Sequence, residues 1–301
     1  MTAEVQRSFV ADDGAAIAYR LRRPGAPRRT LVLLHGLASN LTRWSEFVAT
    51  TRLAESWDIL RLDLRGHGGS LWRGRIGIDA WCADLAGLLQ AEGVPQAVLV
   101  GHCLGANAAM HFAHRSPGTV AGLVLIEPMF RQALRGPLAR VAALRPLLAV
   151  LAPVLRGMAA LGLHRRHLEQ LDLAALDREA RAAMLRAGGT FPEQRYASPW
   201  QDLRSLPVSA YCQDLLAVTA PLPALPMLQV PVLAILSTGA AFSDPQLTAH
   251  LLSPLPDCRT VRFEARHWIP TEQPEALRDA IEAWCGGRFG QPASPMQQGR
   301  P

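Results

Sequence analysis

The chain has 301 residues, 49% of them apolar and 19% charged, enough for one large buried core and too apolar for a disordered chain. All 31 basic residues are arginine, which excludes a Schiff-base lysine, a pyridoxal anchor and a lysine-bearing phosphate loop. The formal charge of +6 does not imply a nucleic-acid partner, because the arginines are dispersed, often beside acids as in Asp63-Leu64-Arg65, and form no stripe with interleaved aromatics.

Arg7 to Ala11, the turn Asp12-Asp13-Gly14 and the alternating stretch Ala15 to Leu21 read as a hairpin. Thr30 to Leu34 is a continuous apolar run of the kind a parallel strand buried on both faces requires, and Ile59 to Leu62, Ala97 to Val100 and Leu123 to Ile126 repeat it. Helical periodicity lies between them, over Leu41 to Glu55, Ile78 to Glu92 and Ala106 to His114. Alternation of this kind predicts an α/β fold with a mostly parallel sheet and right-handed crossovers.

From Met129 to Met227 the rhythm gives way to Ala/Leu/Arg-rich helix broken by Pro137, Pro146, Pro153, Gly188-Gly189 and Pro192, an inserted helical subdomain. The strand pattern resumes at Pro231 to Leu236, followed by a helix near Pro245 to Leu252, a strand near Thr260 to Phe263 and a helix near Pro274 to Trp284. The expected divisions are 1–128 for the first part of the core, 129–227 for a helical cap, 228–286 for the second part and 287–301 for a disordered tail. Pro146 to Leu155 is apolar, but Arg145 and Arg156 bracket too few residues to span a bilayer and Pro153 interrupts them, so no transmembrane segment is expected.

Five scattered cysteines without a CxxC pair fit a reducing compartment, and the first 14 residues are too polar for a signal peptide, so the expected location is cytoplasmic. The spacings His111/His114 and His164/His167 lack a third ligand in sequence, so neither a metal nor another cofactor is expected.

Chemistry concentrates at Gly101-His102-Cys103-Leu104-Gly105, between a strand and a helix. Flanking glycines permit a tight turn that lifts the middle side chain above the sheet, which makes Cys103 the candidate nucleophile. The Leu104 N–H at the start of the helix is a candidate oxyanion donor.

These residues resemble the α/β-hydrolase superfamily over nearly the whole chain, from Phe9 to Trp284. His35-Gly36-Leu37 resembles the loop after the third strand, which implies Leu37 as the second oxyanion donor. Asp63 to Ser70 is similar to the segment after the fourth strand, Gly101 to Gly105 to the nucleophile elbow with cysteine in place of the usual serine, and Arg266-His267-Trp268 to the catalytic histidine region. The resemblance implies an α/β-hydrolase sheet with an inserted cap and His267 as the base. His35, Gly36, His102 and Trp268, beside these motifs, are expected to shape the substrate pocket.

The acid stays open. Where relatives carry Gly-x-x-Asp after the strand following the cap, this chain reads Ser237-Thr238-Gly239-Ala240. Asp244 lies four residues further on, and Glu127 ends the preceding strand, where haloalkane dehalogenases keep their acid; Glu127 is slightly favoured. Dehalogenation and epoxide hydrolysis are disfavoured, since both need an aspartate nucleophile.

Dienelactone hydrolases and polyhydroxyalkanoate synthases share a cysteine elbow. A thiolate paired with His267 suits esters, thioesters or lactones through a thioester acyl-enzyme. Met158, Met184, Trp200, Tyr211 and the cap leucines point to an apolar acyl or ring-bearing small-molecule substrate. The alternatives are an acyltransferase with the same residues and a catalytically silent binding homologue that has lost its acid. Oligomeric state is not legible.

Overall fold

The computed structural model describes residues 3–25, 29–186 and 191–290. Eight strands, β1 (Val5–Val10), β2 (Ala16–Arg22), β3 (Arg29–Leu34), β4 (Trp57–Leu62), β5 (Ala97–His102), β6 (Val120–Ile126), β7 (Val232–Ser237) and β8 (Cys258–Phe263), form one sheet in the order β1-β2-β4-β3-β5-β6-β7-β8. The β1/β2 hairpin and the β2/β4 pair are antiparallel, and every other pairing is parallel.

Strand side chains alternate faces, so each unbroken apolar run feeds two cores. Leu31, Leu33, Val98, Val100, Val124, Ile126, Leu233 and Ile235 meet Trp44, Trp57, Ile281 and Trp284 on one side. Val32, Leu34, Leu99, Leu123, Leu125 and Ala234 meet Trp81, Leu85, Leu88 and Phe112 on the other. The helices supplying these faces include α1 (Ser45–Thr50), α2 (Ile78–Ala91) and α3 (Leu104–Arg115), with α9 (Pro245–Leu252), α10 (Ile269–Glu272) and α11 (Pro274–Phe289) at the carboxyl end of the chain. Helices α4 (Gly136–Ala143), α5 (Arg145–Ala160), α6 (Leu173–Arg186), α7 (Pro199–Ser205) and α8 (Val208–Val218) all fall between β6 and β7.

Three details depart from the periodicity. The helix expected over Leu41 to Glu55 is split into two 3-10 turns around α1, because Thr51 is extended at ψ 135° and its hydroxyl accepts from Leu53 N, restarting the chain in a new turn. The helix after the elbow begins two residues earlier than expected, directly after Cys103. The last helix continues past Trp284 to Phe289, whose ring packs against Trp57 and Trp284, so the first residues assigned to a tail belong to the core. The rest of that tail, 291–301, and Gly188-Gly189 lie outside the described residues.

Candidate active site

The chemistry-bearing residues gather at the carboxyl ends of the parallel strands, where open α/β sheets place their ligands. Among the described residues, three non-glycine residues have positive φ: Ala38 at 50°, Cys103 at 53° and Glu127 at 51°. They follow β3, β5 and β6, which are neighbours in the sheet. Backbone strain is thus held around one point.

The elbow can be made only with its glycines. A Cβ on Gly101 would stand 2.3 Å from Gly105 O, and one on Gly105 would stand 2.4 Å from Leu34 O and 2.6 Å from His35 O. Strand β5, helix α3 and the end of β3 therefore approach backbone to backbone, which lifts Cys103 over the sheet edge. Cys103 is the residue preceding α3, and its carbonyl accepts from Ala106 and Asn107 N–H. Leu104, the first residue of α3, has no intrahelical acceptor for its N–H. Gly36 and Leu37, after β3, line the same cavity as Cys103.

His267 follows β8 and is buried. Its Nδ1 lies 3.2 Å from Glu127 Oε2, and the ring also hydrogen-bonds the Cys103 side chain. Burial opposes protonation of this imidazole, but the hydrogen bonds and charge interactions with Cys103 and Glu127 outweigh it and raise His267 to about 10. Glu127 is itself held: Ser237 N, at the end of β7, donates to Glu127 Oε1 at 2.6 Å. Glu272 holds the His267 loop from below, its Oε1 accepting from Trp268 N at 2.9 Å and His267 N at 3.2 Å.

Asp244 stands elsewhere. Its Oδ1 caps α9 by accepting from Gln246 N and Leu247 N, and its Oδ2 pairs with Arg135 at 2.7 Å. Both oxygens are committed to a helix start and a surface ion pair, so Asp244 is not the carboxylate at His267. The reason is local: Asp before Pro245 is an N-cap, and the cap holds the side chain along the helix axis.

His35 does not face the cavity. It is fully buried, its Nδ1 donating to Gly36 O at 2.8 Å and its Nε2 accepting from Leu64 N at 3.0 Å, so it joins the ends of β3 and β4 as a neutral ring. Burial pushes its pKa well below 6.5, as it does for His102, whose Nε2 donates to His267 O at 3.0 Å. His102 does line the cavity, and so does Trp268.

The cavity has a volume of about 610 Å³. Its walls combine the elbow and His267 with Leu138 and Val141 of α4, Leu173 and Leu176 of α6, and Tyr211, Leu215 and Val218 of α8. Phe191 stacks on Trp268 and Tyr196 packs tilted against it, while Phe242 meets Trp268 and His267 edge to face, with ring centroids 5.0 to 5.6 Å apart. The side chains expected to supply an apolar pocket divide: Tyr211 lines it, Met184 packs on the Phe191 cluster, and Trp200 and Met158 point outward, Trp200 at 82% exposure.

Sequence reasoning missed one polar wall. Arg43 lines the cavity with its guanidinium buried, Nη1 donating to both oxygens of Asp177 at 2.6 and 2.7 Å and to Thr271 Oγ1, while Tyr196 OH donates to Asp177 Oδ1 at 2.9 Å. This cluster ties α6 to the core. No local signal marks it, since Arg43 and Asp177 are 134 residues apart.

The sheet order, the strained turn after β5 and the histidine after β8 define an α/β hydrolase. Residues 25–273 match the family described as serine aminopeptidase, S33, and the chain belongs to that family, with cysteine at position 103. It is 38% identical over 108 residues to lipase LipV of Mycobacterium tuberculosis, a stretch covering 35% of this chain and 39% of that relative. The chain thus aligns with about two fifths of that curated protein. Among solved structures, a hydrolase from Pseudomonas aeruginosa PA01 superimposes with a TM-score of 0.67 at 20% identity, over 93% of this chain and 98% of that one. A thermophilic esterase from Thermogutta terrifontis does so with a TM-score of 0.66 at 22% identity, over 95% and 99%. At these identities the structural likeness establishes the fold.

Proposed function

We propose that this protein is a cofactor-independent hydrolase of carboxylic esters or thioesters that works through Cys103, His267 and Glu127. The observation that carries the reading is the buried line of contacts from Glu127 through His267 to Cys103, ending at the strained elbow.

In this reading the Cys103 thiolate, paired with the His267 ring that already holds its proton at neutral pH, attacks the acyl carbonyl carbon through Sγ. The tetrahedral oxyanion is met by the N–H groups of Leu37 and Leu104. The leaving alcohol or thiol departs with the proton from His267, and a thioester acyl-enzyme remains. Water, deprotonated by His267, then attacks that thioester and releases the acid. Glu127 accepts from Nδ1–H and holds the tautomer throughout.

The helices between β6 and β7 act as a cap over this centre, and the aromatic cluster with the leucines of α6 and α8 favours an apolar acyl or ring-bearing group. The buried carboxylate beside His267 supports this reading over that of a silent homologue, which the absence of Gly-x-x-Asp motivates. One relative is a named lipase and one structural neighbour an esterase, in agreement with this substrate class.

The test is intact-mass spectrometry after brief exposure to a short-chain p-nitrophenyl ester and to an acyl thioester. An acyl increment that appears in the wild type, decays with product release and is absent from Cys103→Ala supports the reading. Turnover retained by Cys103→Ala overturns it.

A further inference from the structure

Helix α5 has its polarity inverted relative to an ordinary surface helix. Its buried contacts are the small residues Ala152 and Ala159 against the body of the protein, while Leu147, Val150, Leu151, Val154 and Met158 stand exposed, Leu147 at 62% and Val150 at 68%. The stripe continues through Leu161 at 81% exposure and Leu163. Both arginines of α5 turn inward instead. Arg145 donates to Leu216 O and Arg156 donates to Gln213 Oε1 at 3.3 Å, both on α8, so the outward face carries no charge between them.

Basic charge flanks α5 along the chain. From Met129 to Leu168 the chain contains seven arginines, at 131, 135, 140, 145, 156, 165 and 166, and no aspartate or glutamate. Arg131, Arg140, Arg165 and Arg166 are exposed; Arg135 is exposed too but pairs with Asp244. Helix α4, which turns into α5 at 78°, brings Leu138 and Val141 to the cavity that holds Cys103.

We propose that α5 is an interfacial anchor that lies in the plane of an anionic lipid surface, with its apolar face in the acyl boundary and the flanking arginines on the headgroups. Among the described residues no single helix is long and apolar enough to cross a membrane, and α5, at about 24 Å for its 16 residues, is shorter than a bilayer core. A second copy of this chain is the less favourable occupant. A symmetric contact through α5 would bring an acid-free, arginine-rich stretch against its own duplicate. An anionic lipid surface supplies the complementary charge that stretch lacks.

The experiment is flotation of the full chain with vesicles of phosphatidylcholine alone and of phosphatidylcholine with phosphatidylglycerol. The wild type is expected to float with the anionic vesicles and to be released by high salt. The variant Leu147→Ser/Val150→Ser/Val154→Ser should partition at least about a hundredfold more weakly, and Arg165→Gln/Arg166→Gln should lose the preference for phosphatidylglycerol. Circular dichroism and hydrolysis of a water-soluble ester should match the wild type in the α5 variant, since these positions are exposed and away from the cavity. The proposal fails if the wild type stays unbound, floats equally with both vesicles, or floats as well after the α5 substitutions. It fails equally if size exclusion shows a dimer that the α5 substitutions dissociate.

Discussion

His267 Nδ1 and Glu127 Oε2 meet at 3.2 Å across the end of β7, although the two residues are 140 positions apart and their strands, β8 and β6, are not neighbours in the sheet. Ser237, at the end of the strand between them, donates its N–H to the other Glu127 oxygen. The carboxylate therefore occupies the region where an acid borne by the loop after β7 would otherwise sit.

Replacing Glu127 with glutamine should keep the side-chain volume but lose the charge that holds the His267 tautomer. The expected outcome is a fall in kcat of about 100- to 10,000-fold with KM little changed. Asp244→Asn should leave kcat within about twofold and lower stability by about 1 kcal/mol or less through the α9 cap and the Arg135 pair. Steady-state kinetics on both variants would separate the carboxylates, and a large kcat loss in Asp244→Asn alone would contradict the assignment.

The five cysteines should differ sharply toward iodoacetamide. Burial pushes Cys82 up to about 11 and Cys285 up to about 12, so both stay protonated at neutral pH. Cys103, beside His267, should alkylate first and with loss of activity, as peptide mapping of a time course at pH 7 would show. Earlier labelling of Cys82 or Cys285 would argue against an activated thiol at position 103.

Stability should fall on the alkaline side. The folded His267 titrates near 10, above its ordinary 6.5, because hydrogen bonds and charge from Cys103 and Glu127 exceed the cost of burial. A raised value means that the folded protein holds this proton more tightly than the unfolded chain. Its contribution is complete below about pH 6.5 and is lost as the pH rises through about 10. Thermal melts between pH 6 and pH 10 should show a declining Tm, and His267→Gln should flatten that slope.

Asp177→Ala should loosen α6. It leaves the Arg43 guanidinium buried without its carboxylate, a change that typically costs about 3 to 5 kcal/mol. Hydrogen exchange should report faster opening of α6 and of the Phe191 to Trp268 aromatic stack than of the central strands. Uniform protection loss across the sheet would show that this cluster is not a local tie.

The strands and the elbow were legible in the amino-acid order because each depends on short-range rules, whereas His267 was reached through the resemblance to the superfamily. Continuous apolar runs can be buried on both faces only in a parallel sheet, and Gly101 and Gly105 mark a place where backbones must come within the radius of a Cβ. The start of α3 and the break at Thr51 were less visible, since single hydrogen bonds decide helix ends. Four features needed the tertiary structure. Glu127 is only slightly favoured over Asp244 along the chain, and strand order brings it to His267 while a helix cap retains the other. His35 belongs to a site motif in sequence, yet its ring is consumed in joining β3 to β4. Arg43 and Asp177 converge from distant segments, and α5 reads as an ordinary apolar helix until packing turns its arginines inward. Periodicity records which residues avoid water; which distant groups then share a buried space is decided by how the strands are ordered and how the helices between β6 and β7 settle on them.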